Sequence, residues 1–184
     1  MTARGGGPGY PLWATMDQRA LFSAIEIQFL AALRTGDGRN QYRLGPISPN
    51  GRRSEARALI TRAVILGDYG TPASRRIIPP GFNHPYGRGA GNHVRGHLIA
   101  DMLGGPGDDP ANIVCLDQLP TNRGMEDLEL AIRDAALNGE EIYLSVSPIY
   151  GVREASIGVT LKAVGDRGYY LYVTIANRDQ PRRR

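Results

Sequence analysis

All three histidines of the 184-residue chain, His84, His93 and His97, fall inside one window of fourteen positions. Imidazole exchanges a proton near neutral pH and also ligates metals, so this window is the first place to look for acid–base or metal chemistry. His93 and His97 stand four apart, a spacing that on a helix would turn both to one face as zinc ligands. Gly87, Gly89, Gly91 and Gly96 oppose a helix there. The window holds no carboxylate, and the one thiol, Cys115, is distant, so a three-ligand zinc centre has little support. Downstream lie two carboxamides, Asn112 and Asn122, then Glu129 with Arg133 four residues beyond it. Side chains of these types can between them move a proton, offer oxygen to a cation and pair with an anion, without yet fixing one reaction.

The order of these residues is more telling than their types. His93-Val94-Arg95-Gly96-His97-Leu98-Ile99-Ala100-Asp101 is followed by a Gly/Asp/Pro loop from Leu103 to Pro110, then Asn112-Ile113-Val114. Pro120-Thr121-Asn122-Arg123-Gly124 comes next, ahead of Leu128-Glu129 and Arg133. Over about residues 75–137 this series resembles the DNA/RNA non-specific endonucleases of the ββα-metal (His-Me finger) superfamily, in particular the nuclease domains of bacterial polymorphic and contact-dependent toxins. The resemblance implies that His97 is the general base and that Asn122 holds Mg2+, with Mn2+ as a substitute. It implies that Asn112 braces the site, that Glu129 orients water on the metal, and that Arg133 and Arg95 meet the scissile phosphate. Arg75, Arg76, Arg88 and Arg123 are expected on the nucleic-acid backbone. The chain departs from the family pattern at Val94, where relatives often carry Asp, and in an Asn122-to-Glu129 interval one residue shorter than expected.

The implied activity is a Mg2+-dependent endonuclease indifferent to sequence, cutting DNA, with RNA left open as a second substrate. As an antibacterial toxin it would need a dedicated acidic immunity protein as partner. The competing reading is a module of the same fold that binds nucleic acid without cutting it. Simpler roles compete residue by residue: His97 as a structural histidine, Asn122 as a helix cap, Glu129 and Arg133 as a surface ion pair. Asp108 and Asp109 are read as turn formers, His84 and His93 as loop residues, and Cys115 as a small buried hydrophobe.

Charge supports a polyanionic partner. Residues 1–100 carry 13 Arg against 5 acids, whereas residues 101–184 carry 9 basic groups against 13 acids. Only Lys162 is lysine, and the guanidinium fork suits phosphate oxygens. One cysteine rules out an internal disulfide, and no apolar run is long enough to span a bilayer. Met1 to Pro11 lack the order of a cleavable signal peptide, so export by another route, with action in a target-cell cytoplasm, is expected.

The elements that must position these groups follow from periodicity. A helix is expected from Thr15 to Gly36, and a second on Ala56, Leu59, Ile60, Ala63 and Val64, ended by Gly67. A third is expected on Met125, Leu128, Ile132 and Ala135. Alternation on Ile142–Val146, Ile157–Ala163 and Tyr169–Ile175 predicts three strands, the last two joined at Gly165-Asp166-Arg167-Gly168. The expected fold class is α+β: a ββα-metal finger core, a C-terminal antiparallel sheet and N-terminal helices. The expected division is a helical extension over 1–70 and a nuclease domain over 71–180.

Overall fold

The computed structural model describes residues 41–82 and 93–177. The helix expected over 15–36, together with His84 and Arg88, lies outside the described residues.

Strict alternation of apolar and polar residues produces an antiparallel sheet, because successive side chains leave a strand on opposite faces. Its strands are β1 (Tyr42–Leu44), β2 (Ala56–Ile60), β5 (Ile142–Tyr150), β6 (Ser156–Gly165) and β7 (Tyr170–Ala176), in the order β1-β2-β5-β6-β7. Ala56, Ala58 and Ile60, then Ile142, Leu144 and Val146, then Val159, Leu161 and Ala163 form one buried face. The β6–β7 turn falls where expected, closed by the Gly165 N–H on the Tyr169 carbonyl at 2.7 Å.

Against that face lies a second layer: a pair of antiparallel strands, β3 (His93–His97) and β4 (Ile113–Asp117), followed by the helix α2 (Arg123–Leu137). Leu98, Ile99, Leu103, Val114, Leu116, Met125, Ile132 and Ala136 supply its side of the core. The layers therefore form a ββα unit seated on an antiparallel sheet, the α+β arrangement expected. Gly96 has a local reason: a Cβ there would fall 2.2 Å from Leu116 Cδ1, so only glycine lets β3 lie on β4 beside that leucine. Cys115 is buried in β4, flanked by Val114 and Leu116. No helix among the described residues is long and apolar enough to cross a membrane.

Two expectations are corrected. The second helix is divided: 56–60 is strand β2, and only α1 (Arg62–Gly67) is helical, opened by Thr61 accepting the Val64 N–H at 3.3 Å. Leu59 and Ile60 are both buried, and such a run fits either period; register with β5, from Ala56↔Val146 to Ile60↔Ile142, decides for strand. His93 is the first residue of β3 and not a loop residue, its Nε2 lying 3.4 Å from Asp117 Oδ1 across the strand pair.

Candidate active site

β3, the loop after it and the start of α2 enclose a cleft of about 290 Å³ lined by Val94, Arg95, His97, Ala100, Asp101, Met102, Asn122, Met125, Glu126 and Glu129. Strand alternation sends Arg95 and His97 to the same side of β3, and the first two turns of α2 bring Asn122, Glu126 and Glu129 to meet them. His97 is half-buried, and its Nε2 sits 3.0 Å from the Thr71 carbonyl oxygen. A carbonyl only accepts, so Nε2 carries the proton of the neutral ring and Nδ1 keeps the lone pair. Burial lowers the His97 pKa from the ordinary histidine value, with the Thr71 bond and the charge of Asp101 opposing the shift. The neutral, proton-accepting imidazole is thereby favoured.

Asn112 is fully buried and works entirely on the backbone. Its Oδ1 accepts the Ile99 N–H at 2.9 Å, and its Nδ2 donates to the Ile99 and Pro106 carbonyls at 2.9 and 3.0 Å. It ties the two ends of the glycine-rich loop that follows His97. The turn holding Asn112 is itself fixed from both sides. Asp109 Oδ1 accepts the Ala111 N–H at 2.8 Å, the turn-forming duty expected of it, and Arg53 Nε donates to the Pro110 carbonyl at 2.8 Å.

Asn122 stands directly before α2, yet its side chain makes no capping hydrogen bond, so its amide is not spent on the helix. Glu129 occupies the buried stripe of α2 with Met125, Ile132 and Ala136, because positions three and four apart share a helix face. Desolvation, with smaller contributions from Asp101 and Glu126, pushes its pKa up to about 8. Oxygen donors of this kind, an amide and carboxylates, suit a hard divalent cation, and the buried Glu129 carboxyl has no hydrogen-bond or ion-pair partner among the described residues. The donor set fits Mg2+, although no three His, Cys, Asp or Glu side chains among the described residues form a ready-made metal cage.

The arginines are placed less uniformly. Arg95 lines the cleft, but its Nε donates to the Ile77 carbonyl at 2.6 Å and an Nη to the Arg75 carbonyl at 3.1 Å, with the guanidinium 4.4 Å from the Phe82 ring centre. Arg75 and Arg76 are exposed in the turn that Arg95 holds. Arg123 pairs with Glu126 at 2.9 Å on the exposed face of α2. Arg133 is half-buried further along α2 and does not line the cleft. Sequence reasoning gave Asp101 no role, and only the folded chain brings it into the cleft with His97. A larger pocket of about 470 Å³, lined by His93, Asp117, Arg153 and Asn177 among others, opens near the far end of β3. Its histidine and amide are already engaged, His93 with Asp117 and Asn177 Nδ2 with the Cys115 and Ser156 carbonyls. The smaller cleft is the one that joins a histidine to an amide and a buried carboxyl with no partner among the described residues.

Comparison with known proteins points the same way. The model of a family described as DNA/RNA non-specific endonuclease matches residues 35–162. No curated protein matches the chain. Among solved structures, the Sda1 nuclease with bound zinc is similar at a TM-score of 0.64 and 19% identity, over 75% of this chain and 74% of that one. NucA from Streptococcus agalactiae with magnesium bound is similar at a TM-score of 0.56 and 22% identity, over 74% of this chain and 72% of that one. A protein described as an extracellular nuclease gives 0.53 and 18%, over 78% and 87%. At such identities the likeness is one of fold.

Proposed function

The chain belongs to the DNA/RNA non-specific endonuclease family, and from that membership we propose that it is a metal-dependent endonuclease hydrolysing phosphodiester bonds of DNA, and of RNA, without sequence preference. One observation carries the reading: His97, with Nδ1 left as its basic nitrogen, shares a cleft with the uncommitted amide of Asn122 and the buried carboxyl of Glu129.

His97 accepts the proton of the attacking water at Nδ1, while the Thr71 carbonyl holds the ring by its other nitrogen. Asn122 would hold Mg2+, or Mn2+, which when bound would offset charge on the phosphate and on the departing 3′ oxygen. Glu129 fixes water on that side of the cleft. Asn112 keeps the loop between His97 and Asn122 in register. Arg95 stiffens the wall through two carbonyls and presents positive charge to the substrate, with Arg75, Arg76 and Arg123 meeting the backbone farther out and Arg133 along α2, and Arg88 assigned to the same backbone by the resemblance alone. Zinc in one structural neighbour and magnesium in another leave the ion to experiment. Delivery as an antibacterial toxin, neutralised by an acidic immunity protein over the basic face, belongs to the same reading through the sequence resemblance. The nuclease domain itself starts ahead of β1 rather than at the expected residue 71, because β1 and β2 pair into the sheet of β5–β7 and share its core.

The test is supercoiled plasmid and single-stranded RNA incubated with purified protein in MgCl2 or in EDTA. Cleavage in MgCl2 alone is expected, and His97→Ala should lower kcat at least about 100-fold. Intact substrate throughout, with DNA still retained on a gel, would replace the enzyme with a binding module.

A further inference from the structure

We propose that Asp101 supplies a carboxylate ligand to the divalent cation held beside Asn122, an assignment that rests on the endonuclease reading above. Asp101 lines the same cleft as His97, Asn122 and Glu129. Its charge reaches both His97 and Glu129, favouring the protonated form of each. Oδ1 accepts the Met102 N–H at 2.8 Å, which fixes the carboxylate plane. Oδ2 has no hydrogen-bond partner among the described residues. The backbone beneath is equally constrained: Asp101 opens the 3-10 turn Asp101–Leu103, and Gly70 packs so closely on it that a Cβ would fall 1.8 Å from the Asp101 carbonyl oxygen. The carboxylate is therefore held in place at the cleft wall and not carried on a loose loop.

A second, independent observation points to an ion. Glu129 is 8% exposed, lines this cleft and meets no donor among the described residues. A carboxyl this buried and without a donor keeps its proton unless a cation sits beside it. Three carboxyl groups, those of Asp101, Glu126 and Glu129, surround the cleft, and Arg123 answers only that of Glu126. A divalent cation between Asp101 and Asn122 would answer the carboxylate oxygen that no donor meets, and oxygen ligands of this kind are the ones Mg2+ selects. The competing duty, orienting His97, is already performed by the Thr71 carbonyl.

Calorimetric titration of MgCl2 into the EDTA-stripped full chain tests the assignment. Asp101→Asn keeps an oxygen for the Met102 N–H, so its metal-free melting temperature should equal that of the parent. Its Mg2+ affinity should fall about 10-fold or more. The Mg2+ concentration for half-maximal plasmid cleavage should rise by the same factor. Should Asp101→Asn melt early, Asp101→Ser offers the same acceptor and is held to the same expectation. Unchanged Mg2+ affinity in a folded variant overturns the proposal, and if the saturated rate alone falls, Asp101 serves the imidazole instead. Parent protein that binds Mg2+ through Asp101 and cuts nothing removes the endonuclease reading but leaves the ligand assignment standing. Parent protein that binds no Mg2+ overturns both.

Discussion

Glu129 shows how a single side chain records what its neighbourhood expects. It stands where an amphipathic helix would place a leucine, and burial lifts its pKa from the ordinary 4.5 to about 8. The folded chain then holds a proton that the unfolded chain has already released, so the metal-free fold loses stability as pH rises from 4.5 through 8. In EDTA, Glu129→Gln is expected to melt several degrees above the parent at pH 9 and level with it at pH 4, as followed by circular dichroism. A parent that melts no lower than the variant at pH 9 would mean that the carboxyl is solvated. His97, Asn122 and Glu129 were readable as a set because their order along the chain carries the family resemblance. Asp101 was not, since nothing local distinguishes a carboxylate that faces α2 from one that makes a turn in a glycine-rich loop.

Elements hold these groups by backbone bonds more than by side-chain contacts. Asn112 is the clearest case: three hydrogen bonds from a fully buried amide join Ile99 to Pro106. Asn112→Ala would orphan an N–H and two carbonyls away from water, and a loss of about 3 kcal/mol is expected, measured as a lower urea midpoint. Cleavage should fall with it, because the tether sets the distance between β3 and α2. The strands β5, β6 and β7 were legible because each is buried on one face and so alternates cleanly. β2 was not, since its last two residues are buried on both faces and the period is lost. β3 and β4 escaped for another reason. His93–His97 is short, polar and interrupted by Gly96, and its partner lies beyond the whole glycine-rich loop, so their pairing is a fact of tertiary structure.

At the scale of the whole molecule, the sheet and the ββα layer share one core, and the cleft opens in the ββα layer. The arginine excess in residues 1–100 makes attraction to a phosphate backbone long-ranged, so retention of DNA by His97→Ala should weaken steadily as NaCl is raised, read by fluorescence anisotropy. Salt-independent retention would argue for base recognition. The bond from His97 to the Thr71 carbonyl crosses twenty-six positions of chain and enlists no side chain on the accepting end. Every amino acid brings that oxygen, so a substitution at position 71 acts only by loosening the segment, which the Thr71 hydroxyl ties to the Gly107 N–H at 2.7 Å. Insertions or deletions that shift the 71–74 segment against Gly105 and Gly107, which it meets through Thr71 and Ser74 N–H groups, can erase the tautomer. Heritable inactivation of the base without touching its own codon is therefore expected to come from frame-preserving length changes in that strip.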